Sequence, residues 1–319
     1  MTLRIGRRAI AALAAAGLAA ALGVGWLVWN PGAVSRPEHL SCPLPDDAQT
    51  LHPGMVWVPA GSFLTGDTVY PDEGPRKQVS IEGFWMDRTE VTNAQFAAFV
   101  QATGYITTAE RAVDPRLHPG LPEAMQQPGA VVFVMPTDLQ NGGDVRQWWK
   151  YRAGANWRHP GGPDTSIDGL DALPVVATTI EDAQAYARWK GRELPTEAQW
   201  EWAALGGGKP EAGKTSQPLQ ANTWQGIFPF QNKATDGFAG IAPVGCFMPN
   251  GYGLFDMIGN VWEMTRDTAA PGQHVIKGGS YLCASNYCMR YRPGARQGQE
   301  DDLATSHLGF RTLLRAPKP

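Results

Sequence analysis

The chain has 319 residues, which is enough for one large domain or two small ones, and its net charge is -3 at pH 7. Nucleic-acid binding needs a basic surface to face the phosphates, so this charge argues against a nucleic-acid partner. With 37 glycines, 26 prolines and 12 tryptophans, the composition indicates a loop-rich fold pinned by large aromatic side chains, and it argues against a helical bundle.

The N-terminal residues have the pattern of a membrane anchor. Arg4, Arg7 and Arg8 precede an uncharged stretch over residues 9–29, which at about 1.5 Å rise per residue is long enough to cross a bilayer. These charges place the N-terminus in the cytoplasm and the rest of the chain on the exported side of the cytoplasmic membrane, its periplasmic or extracellular face. We therefore predict a cytoplasmic n-region and transmembrane signal anchor over residues 1–30. A cleaved signal peptide and a twin-arginine export signal are the alternatives.

After the anchor, a proline-rich polar linker is predicted over residues 31–52 and a single globular domain over residues 53–316. The domain begins at the apolar run of residues 55–58. A long irregular stretch over residues 104–171 is rich in proline and glycine, and loops of this length are usually functional or disordered. Together with the helices described next, these patterns predict an α+β fold with little regular secondary structure.

Three helices are predicted from apolar spacing and capping residues, over residues 89–100, 180–190 and 196–205. Thr92 is the expected cap of the first helix. Thr196 and Gln199 have the spacing of a capping box at the start of the third. Short strand-like runs separated by turns fill the C-terminal part of the chain.

Four cysteines are present, which is too few for a disulfide scaffold in a chain of this length. Cys283 and Cys288 are five positions apart with no histidine between them, which is a poor zinc pattern. Two thiolates without further ligands suit a soft monovalent ion such as Cu(I). In an exported protein, a structural disulfide is the alternative, and spacing alone favours it. The sequence leaves open whether Cys42 and Cys246 pair.

The segment around the two cysteines resembles the active-site segment of the formylglycine-generating enzymes, also called sulfatase-modifying factors. Residues 278–288 read Gly-Gly-Ser-Tyr-Leu-Cys-Ala-Ser-Asn-Tyr-Cys, and residues 308–311 read Leu-Gly-Phe-Arg. Further blocks resemble the same family in order along the chain, at residues 55–61, 86–93, 154–163, 194–201 and 250–263. The blocks at 194–201 and 259–263 occur across a broad superfamily. The cysteine pair and the Asn-Trp-Arg-His-Pro block at 156–160 occur in a much narrower set of proteins.

This resemblance implies a formylglycine-generating-enzyme fold, a C-type-lectin-like variant, and makes residues 53–316 a catalytic domain. The implied reaction is a copper- and dioxygen-dependent oxidation of a cysteine to Cα-formylglycine. The implied substrate is an unfolded sulfatase or similar protein with a Cys-x-Pro-x-Arg-type motif. Cys283 and Cys288 would hold Cu(I), and matching positions near the metal fall on Ser280, Tyr287 and Trp262. Ordinary core packing is the alternative for Tyr287 and Trp262.

The resemblance also implies two structural calcium sites with oxygen ligands only, which suit this hard ion. Capping of turns is the alternative role for these residues. The family positions of the first site fall on Asn222, Asp236 and the carbonyls of Thr223 and Phe238. Those of the second fall on Asp256, Glu263 and the carbonyls of Gly259 and Val261.

The chain departs from the family pattern at residues 284–286, where His-Arg-Ser or similar is familiar, and at His307, where asparagine is usual. These loop changes predict a change in the accepted peptide, and one wall of a peptide groove is expected at residues 148–149 and 156–160. Two other functions compete. An iron oxygenase of the sulfoxide-synthase type is disfavoured because the histidines are scattered. A non-catalytic binding or maturation module would carry Cys283 and Cys288 as a disulfide.

Overall fold

The computed structural model describes residues 41–113, 116, 118–136 and 144–315. In its first sheet, β1 (Met55–Val58) pairs antiparallel with β4 (Phe84–Asp87), and β13 (Leu313–Leu314) pairs antiparallel with the other side of β4. Met86 on the central strand is fully buried. This sheet therefore joins the beginning of the described domain to its end.

The second sheet carries the segments that flank the two cysteines. Its strands are β9 (Trp262–Ala270), β10 (Gln273–Lys277), β11 (Gln297–Glu300) and β12 (Leu308–Gly309), in the order β11-β10-β9-β12. β12 runs parallel to β9 and sets Leu308 beside Trp262, whereas the other pairs are antiparallel. The parallel pairing brings residues 305–311 to the same place as Trp262.

Three hairpins complete the strands. They are β2 (Gly61–Thr65) with β3 (Lys77–Ile81), β5 (Gly129–Phe133) with β6 (Trp149–Ala153), and β7 (Gly226–Ile227) with β8 (Gln231–Asn232). The hairpin of β5 and β6 lies inside the stretch predicted to be irregular, so that prediction is wrong there. Ala130 and Val132 alternate with more exposed residues and point into a small core.

The described residues contain three α-helices, α1 (Asn93–Thr103), α2 (Ile180–Trp189) and α3 (Glu197–Leu205). The capping box of α3 is confirmed, since Thr196 Oγ1 accepts a hydrogen bond from the N–H of Gln199 at 3.1 Å. The predicted bounds of the first helix, residues 89–100, are wrong at both ends. Thr92 is its cap, as predicted, so the helix begins at Asn93, and it ends at Gly104 in the left-handed conformation.

Aromatic side chains hold the helices against the second sheet. Phe96 on α1 lies 5.2 Å from Trp157 and 6.3 Å from Phe310, measured between ring centroids. Trp157 is 2 % exposed. The Asn-Trp-Arg-His-Pro block therefore contributes Trp157 to the core, where a wall of a peptide groove was expected.

A disulfide between Cys42 and Cys246 joins residues 204 positions apart, with 5.1 Å between the Cα atoms. Next to it, Arg88 forms an ion pair with Asp47 at 3.1 Å and donates to the carbonyl of Pro45 at 3.0 Å. These bonds attach residues 42–47 of the predicted linker to the folded domain. The domain boundaries themselves stay predictions.

The prediction of a membrane anchor, and of a membrane-attached location on the exported side, is corrected. None of the helices in the described residues is both long enough and apolar enough to cross a bilayer. Residues 1–30, on which the anchor was predicted, lie outside the described residues.

Candidate active site

Cys283 and Cys288 lie on the loop between β10 and β11, and both carry free thiols instead of the disulfide that spacing alone favours. They open onto a cavity of about 470 Å³. Every side chain predicted to be catalytic lines this cavity, namely Trp262, Ser280, Cys283, Tyr287 and Cys288. The fold therefore gathers into one space a set that the sequence spreads over 27 positions, from 262 to 288.

The two thiols differ in their environment. Burial raises the pKa of the Cys283 thiol well above its ordinary value, and the hydrogen bond with Cys288 raises it further. The pKa of the Cys288 thiol is lowered, chiefly because Cys283 donates that hydrogen bond, and also because the N–H of Arg290 faces the sulfur. Cys288 is therefore the thiol that ionises first, and Cys283 keeps its proton. Once Cys288 has ionised, the pair is a soft donor set that carries one negative charge.

The loop that carries the thiols is held by main-chain hydrogen bonds. The N–H of Cys283 donates to the carbonyl of Ser280 at 2.9 Å, and the N–H of Trp224 donates to the carbonyl of Cys283 at 3.0 Å. Ser280 Oγ accepts a hydrogen bond from the N–H of Leu282 at 3.3 Å. Ser280 therefore shapes the loop in addition to lining the cavity.

Gly279 lies so close to Cys283 that a side chain there would be packed more tightly than ordinary contact allows. Its φ is +72°, and a Cβ at this position would lie 3.2 Å from Cys283 Sγ and 3.0 Å from Tyr291 Cα. Only glycine adopts this conformation without strain. The Gly-Gly pair that precedes Ser280 therefore lets the backbone pass directly against the buried thiol.

Aromatic side chains form one wall of the cavity. Tyr287, which is 46 % exposed, stacks on Phe228 with 4.2 Å between ring centroids. Trp149 lines the cavity, and Trp148 is buried behind it against Phe228. Of the two parts of the predicted groove, only the one at residues 148–149 reaches the cavity.

The residues that depart from the family pattern fix this wall. Asn286 exchanges two hydrogen bonds with the backbone of Phe228, at 3.3 and 3.4 Å. Ala284 is fully buried beside Phe228 and Trp148. His307 also lines the cavity, at the end of a loop distant in sequence from the cysteines.

Tyr70 is a cavity residue that sequence reasoning missed. Its hydroxyl accepts a hydrogen bond from the N–H of Met289 at 3.3 Å, and the Arg290 guanidinium lies 4.2 Å from its ring. Arg290 also pairs with Asp72 at 2.8 Å, and the next arginine, Arg292, is buried against two carboxylates from the same segment as Tyr70. No local signal connects residue 70 to residue 289, because only tertiary packing brings them together.

The residues of the first predicted calcium site lie together. Asp236 accepts hydrogen bonds from the N–H of Phe238 at 3.0 Å and from the N–H of Thr223 at 3.3 Å. Asn222 is buried and donates through Nδ2 to Asn260 Oδ1 at 3.0 Å. This contact places the first predicted site beside the turn of residues 256–261 that carries the second.

The second predicted calcium site surrounds a buried ion pair. Both oxygens of Glu263 are bonded to Arg311, at 2.7 Å each, and Trp200 donates to one of them at 2.7 Å. Burial raises the pKa of Asp256 to about 6 and that of Glu90 well above its ordinary value. Glu90 Oε2 is buried without a hydrogen-bond partner. The sequence analysis assigned Glu90 to no site, although it lies in the block of residues 86–93 that resembles the family.

Three carboxylates, Glu90, Asp256 and Glu263, thus share one buried cation, Arg311. Within the described ranges, no three histidine, cysteine, aspartate or glutamate side chains converge as a ready metal site. This finding gives no support to a histidine-rich iron centre, and it means that main-chain carbonyls would have to complete a calcium site.

The chain is similar to known proteins over most of its length. The family model described as "Sulfatase-modifying factor enzyme 1-like domain" matches residues 42–316. The chain is 47 % identical over 292 residues to a formylglycine-generating enzyme of Mycobacterium tuberculosis, covering 81 % of this chain and 97 % of the relative. It is 39 % identical over 295 residues to the "Inactive C-alpha-formylglycine-generating enzyme 2" of Mus musculus, covering 88 % of this chain and 92 % of the relative.

Among solved structures, PvdO from Pseudomonas aeruginosa superposes with a TM-score of 0.56 at 22 % identity, covering 81 % of this chain and 93 % of PvdO. At this identity the likeness concerns the fold alone. Together with the family match, it confirms the predicted fold class, a loop-rich α+β domain of the formylglycine-generating-enzyme type.

Proposed function

We propose that this chain, which belongs to the sulfatase-modifying factor family, oxidises a cysteine of a sulfatase to Cα-formylglycine with dioxygen. Family membership alone does not decide activity, because one relative is named inactive. The observation that carries the proposal is the pair of free thiols on the wall of a cavity. A binding module with these cysteines as a disulfide is not favoured by that observation.

The donor set fits Cu(I). Cys283 and Cys288 are soft ligands in mutual hydrogen-bond contact, and Cys288 is the first of the two to lose its proton, as binding of a metal to a thiolate requires. When bound between them, copper would supply the one-electron chemistry with dioxygen that side chains cannot. The nearby arginines, Arg290 and Arg292, favour the charged form of Cys288.

The other cavity residues suit binding of an extended peptide. Trp262 is buried and forms the floor beside Cys283, while Tyr287 and Trp149 present flat surfaces at the wall. Apolar surface around the thiols excludes water and strengthens the interactions inside the site. We infer that these residues orient a substrate cysteine, in a Cys-x-Pro-x-Arg-type motif of an unfolded segment, toward the thiol pair.

The test of the proposal uses the full chain, reduced, loaded with Cu(I), and supplied with oxygen and a Cys-x-Pro-x-Arg peptide. The product is measured by mass spectrometry and by an aldehyde-reactive probe. We expect aldehyde that depends on both copper and oxygen. Tight Cu(I) binding without aldehyde from any peptide of this type would overturn the proposed reaction.

Replacing Gly279 with alanine is expected to lower Cu(I) affinity by at least about tenfold, as loss of a supporting contact around a metal ligand does. The added Cβ would meet Cys283 Sγ at 3.2 Å and displace it. The left-handed backbone adds a stability cost on the order of 1–3 kcal/mol. Competition with a Cu(I) chelator measures the affinity.

The matched control is Gly104→Ala, at φ +66° with no atom within 4 Å of the new Cβ. It should lower stability by a similar amount and leave Cu(I) affinity unchanged. Equal loss of affinity in both variants would contradict the assigned contact, since strain alone would then explain the effect.

We also propose that calcium is a structural ligand at the two predicted sites. The support is the oxygen-rich surroundings of the buried Asn222 and Asp256 and of the half-buried Asp236, together with the unpartnered oxygen of Glu90. A divalent cation would offset the excess of buried carboxylate around Arg311. Because both Glu263 oxygens are already bonded, Glu90 is the carboxylate better placed to accept such an ion.

Removal of calcium with a chelator is therefore expected to lower the thermal midpoint. An ion present at a hundred times its dissociation constant stabilises the native state by about 2.7 kcal/mol, and that stabilisation is lost on chelation. Differential scanning calorimetry with and without added calcium measures the change, and Glu90→Gln should reduce it. A midpoint that does not respond to chelator or to calcium would contradict the proposal.

A further inference from the structure

His307 adds a side chain to the cavity that the predicted site does not include. It directly precedes β12, and its carbonyl accepts a hydrogen bond from the N–H of Trp262 at 2.9 Å. Its ring centroid lies 4.6 Å from that of Trp149, and the residue is 8 % exposed. The ring is thus fixed between the floor and the aromatic wall of the space that contains the thiols.

One ring nitrogen is already used. Nδ1 of His307 lies 2.9 Å from Thr305 Oγ1. Nε2 makes no hydrogen bond to the described residues. It is also not among the described polar atoms that are buried without a partner, so it remains accessible. Since the residue lines the cavity, Nε2 is the ring atom available to a molecule held there.

The ring is neutral. Burial lowers the pKa of His307 to about 3, so it carries no charge across the neutral range. Among the described side chains that line the cavity, only Arg290 carries a fixed charge, and none is a carboxylate. A neutral nitrogen matches a neutral partner, and a peptide main chain offers both an N–H and a carbonyl for either tautomer.

We propose that Nε2 of His307 hydrogen-bonds the main chain of the bound substrate next to its reacting cysteine and so positions that cysteine at Cys283 and Cys288. The inference rests on the proposed function, because it requires a peptide substrate. Its role is positioning, and small misplacements of a reacting group reduce rates steeply.

Three substitutions distinguish the contribution of Nε2 from that of Nδ1. His307→Phe keeps a ring against Trp149 but has neither nitrogen. His307→Asn places its amide near the position of Nδ1 and keeps a bond to Thr305, and His307→Gln extends the amide toward the position of Nε2. The measurement is the affinity of the metal-free full chain for a labelled Ser-x-Pro-x-Arg peptide, read by fluorescence anisotropy. Serine replaces the reacting cysteine, so no turnover occurs.

We expect the Phe and Asn variants to bind the peptide roughly threefold to tenfold more weakly, as loss of one hydrogen bond predicts. The Gln variant should stay within about twofold of the parent chain on the same basis. Cu(I) affinity, measured by chelator competition, should be unchanged in all three. Near-ultraviolet circular dichroism checks that each variant is folded.

Three results would overturn the inference. The first is an Asn or Phe variant that binds as tightly as the parent. The second is a loss of Cu(I) affinity, which would make His307 a metal ligand, and the third is a parent chain that does not bind the peptide. Aldehyde formation by the parent is measured separately. Peptide binding that depends on His307 but yields no aldehyde would contradict the proposed function and still support this inference.

Discussion

Replacing Cys283 or Cys288 with serine is expected to lower aldehyde formation by at least about 10³-fold, beyond the 10–100-fold that loss of an outer partner of a metal ligand costs. A serine hydroxyl is a hard, protonated ligand at neutral pH and does not hold Cu(I). Each substitution also breaks the hydrogen bond through which the two thiols share a proton. The rate is measured with the aldehyde-reactive probe under saturating oxygen.

The matched control removes the other two cysteines. Cys42→Ser combined with Cys246→Ser opens the disulfide but leaves the cavity thiols intact. It should lower stability by about 2–5 kcal/mol and retain activity at temperatures where the chain stays folded. If a single serine variant of the cavity pair kept a tenth of the parent rate, the assignment of both thiols as ligands would be wrong.

Replacing Arg311 with methionine is expected to lower stability by about 3–5 kcal/mol, because it leaves Glu263 as an uncompensated buried charge. Arg311 is fully buried, and besides Glu263 it donates to the carbonyl of Phe255 at 2.9 Å and to the carbonyls of Asp87 and Arg88. Urea unfolding measures the free energy, and the thermal midpoint should fall by roughly 10 °C.

The control is Arg266→Met, which breaks an ion pair with Glu193 of the same 2.7 Å length at a side chain that is 40 % exposed. Exposed pairs contribute about 0–1 kcal/mol, so this variant should stay close to the parent. Similar losses in the two variants would mean that burial does not set the energy of the Arg311 pair. Added calcium should partly offset the Arg311 loss if the ion occupies the same carboxylates, because the variant leaves them with more uncompensated negative charge for the ion to neutralise.

The first of these two predictions concerns the loop that carries the thiols, and the second concerns the sheet that supports this loop. The thiol loop is irregular over residues 278–296, and its position depends on the strands on either side, β10 and β11. Arg311 follows β12 and bonds to Glu263 on β9, the strand between β10 and β12 in the sheet. Loss of Arg311 therefore acts on the sheet that supports the site, whereas loss of a cysteine acts on the chemistry and leaves the sheet intact.

The sequence by itself determined what depends on neighbours along the chain. The capping box of Thr196 and Gln199 is local, since its partners are three residues apart, and the structure has it where it was predicted. The five side chains predicted to be catalytic, which lie within 27 positions of one another, do meet at one cavity. The fold class followed from motifs distributed over the chain, and the comparisons confirm it.

Only the tertiary structure decided what depends on residues far apart in sequence. The pairing of Cys42 with Cys246, the contact of Tyr70 with Met289 and the carboxylates around Arg311 each join segments from different elements. Hydrophobic burial drives such contacts and is non-directional, so no local sequence pattern predicts which segments will be in contact. For the same reason, a histidine that reads as a family departure at position 307 becomes a cavity residue only once β12 pairs with β9.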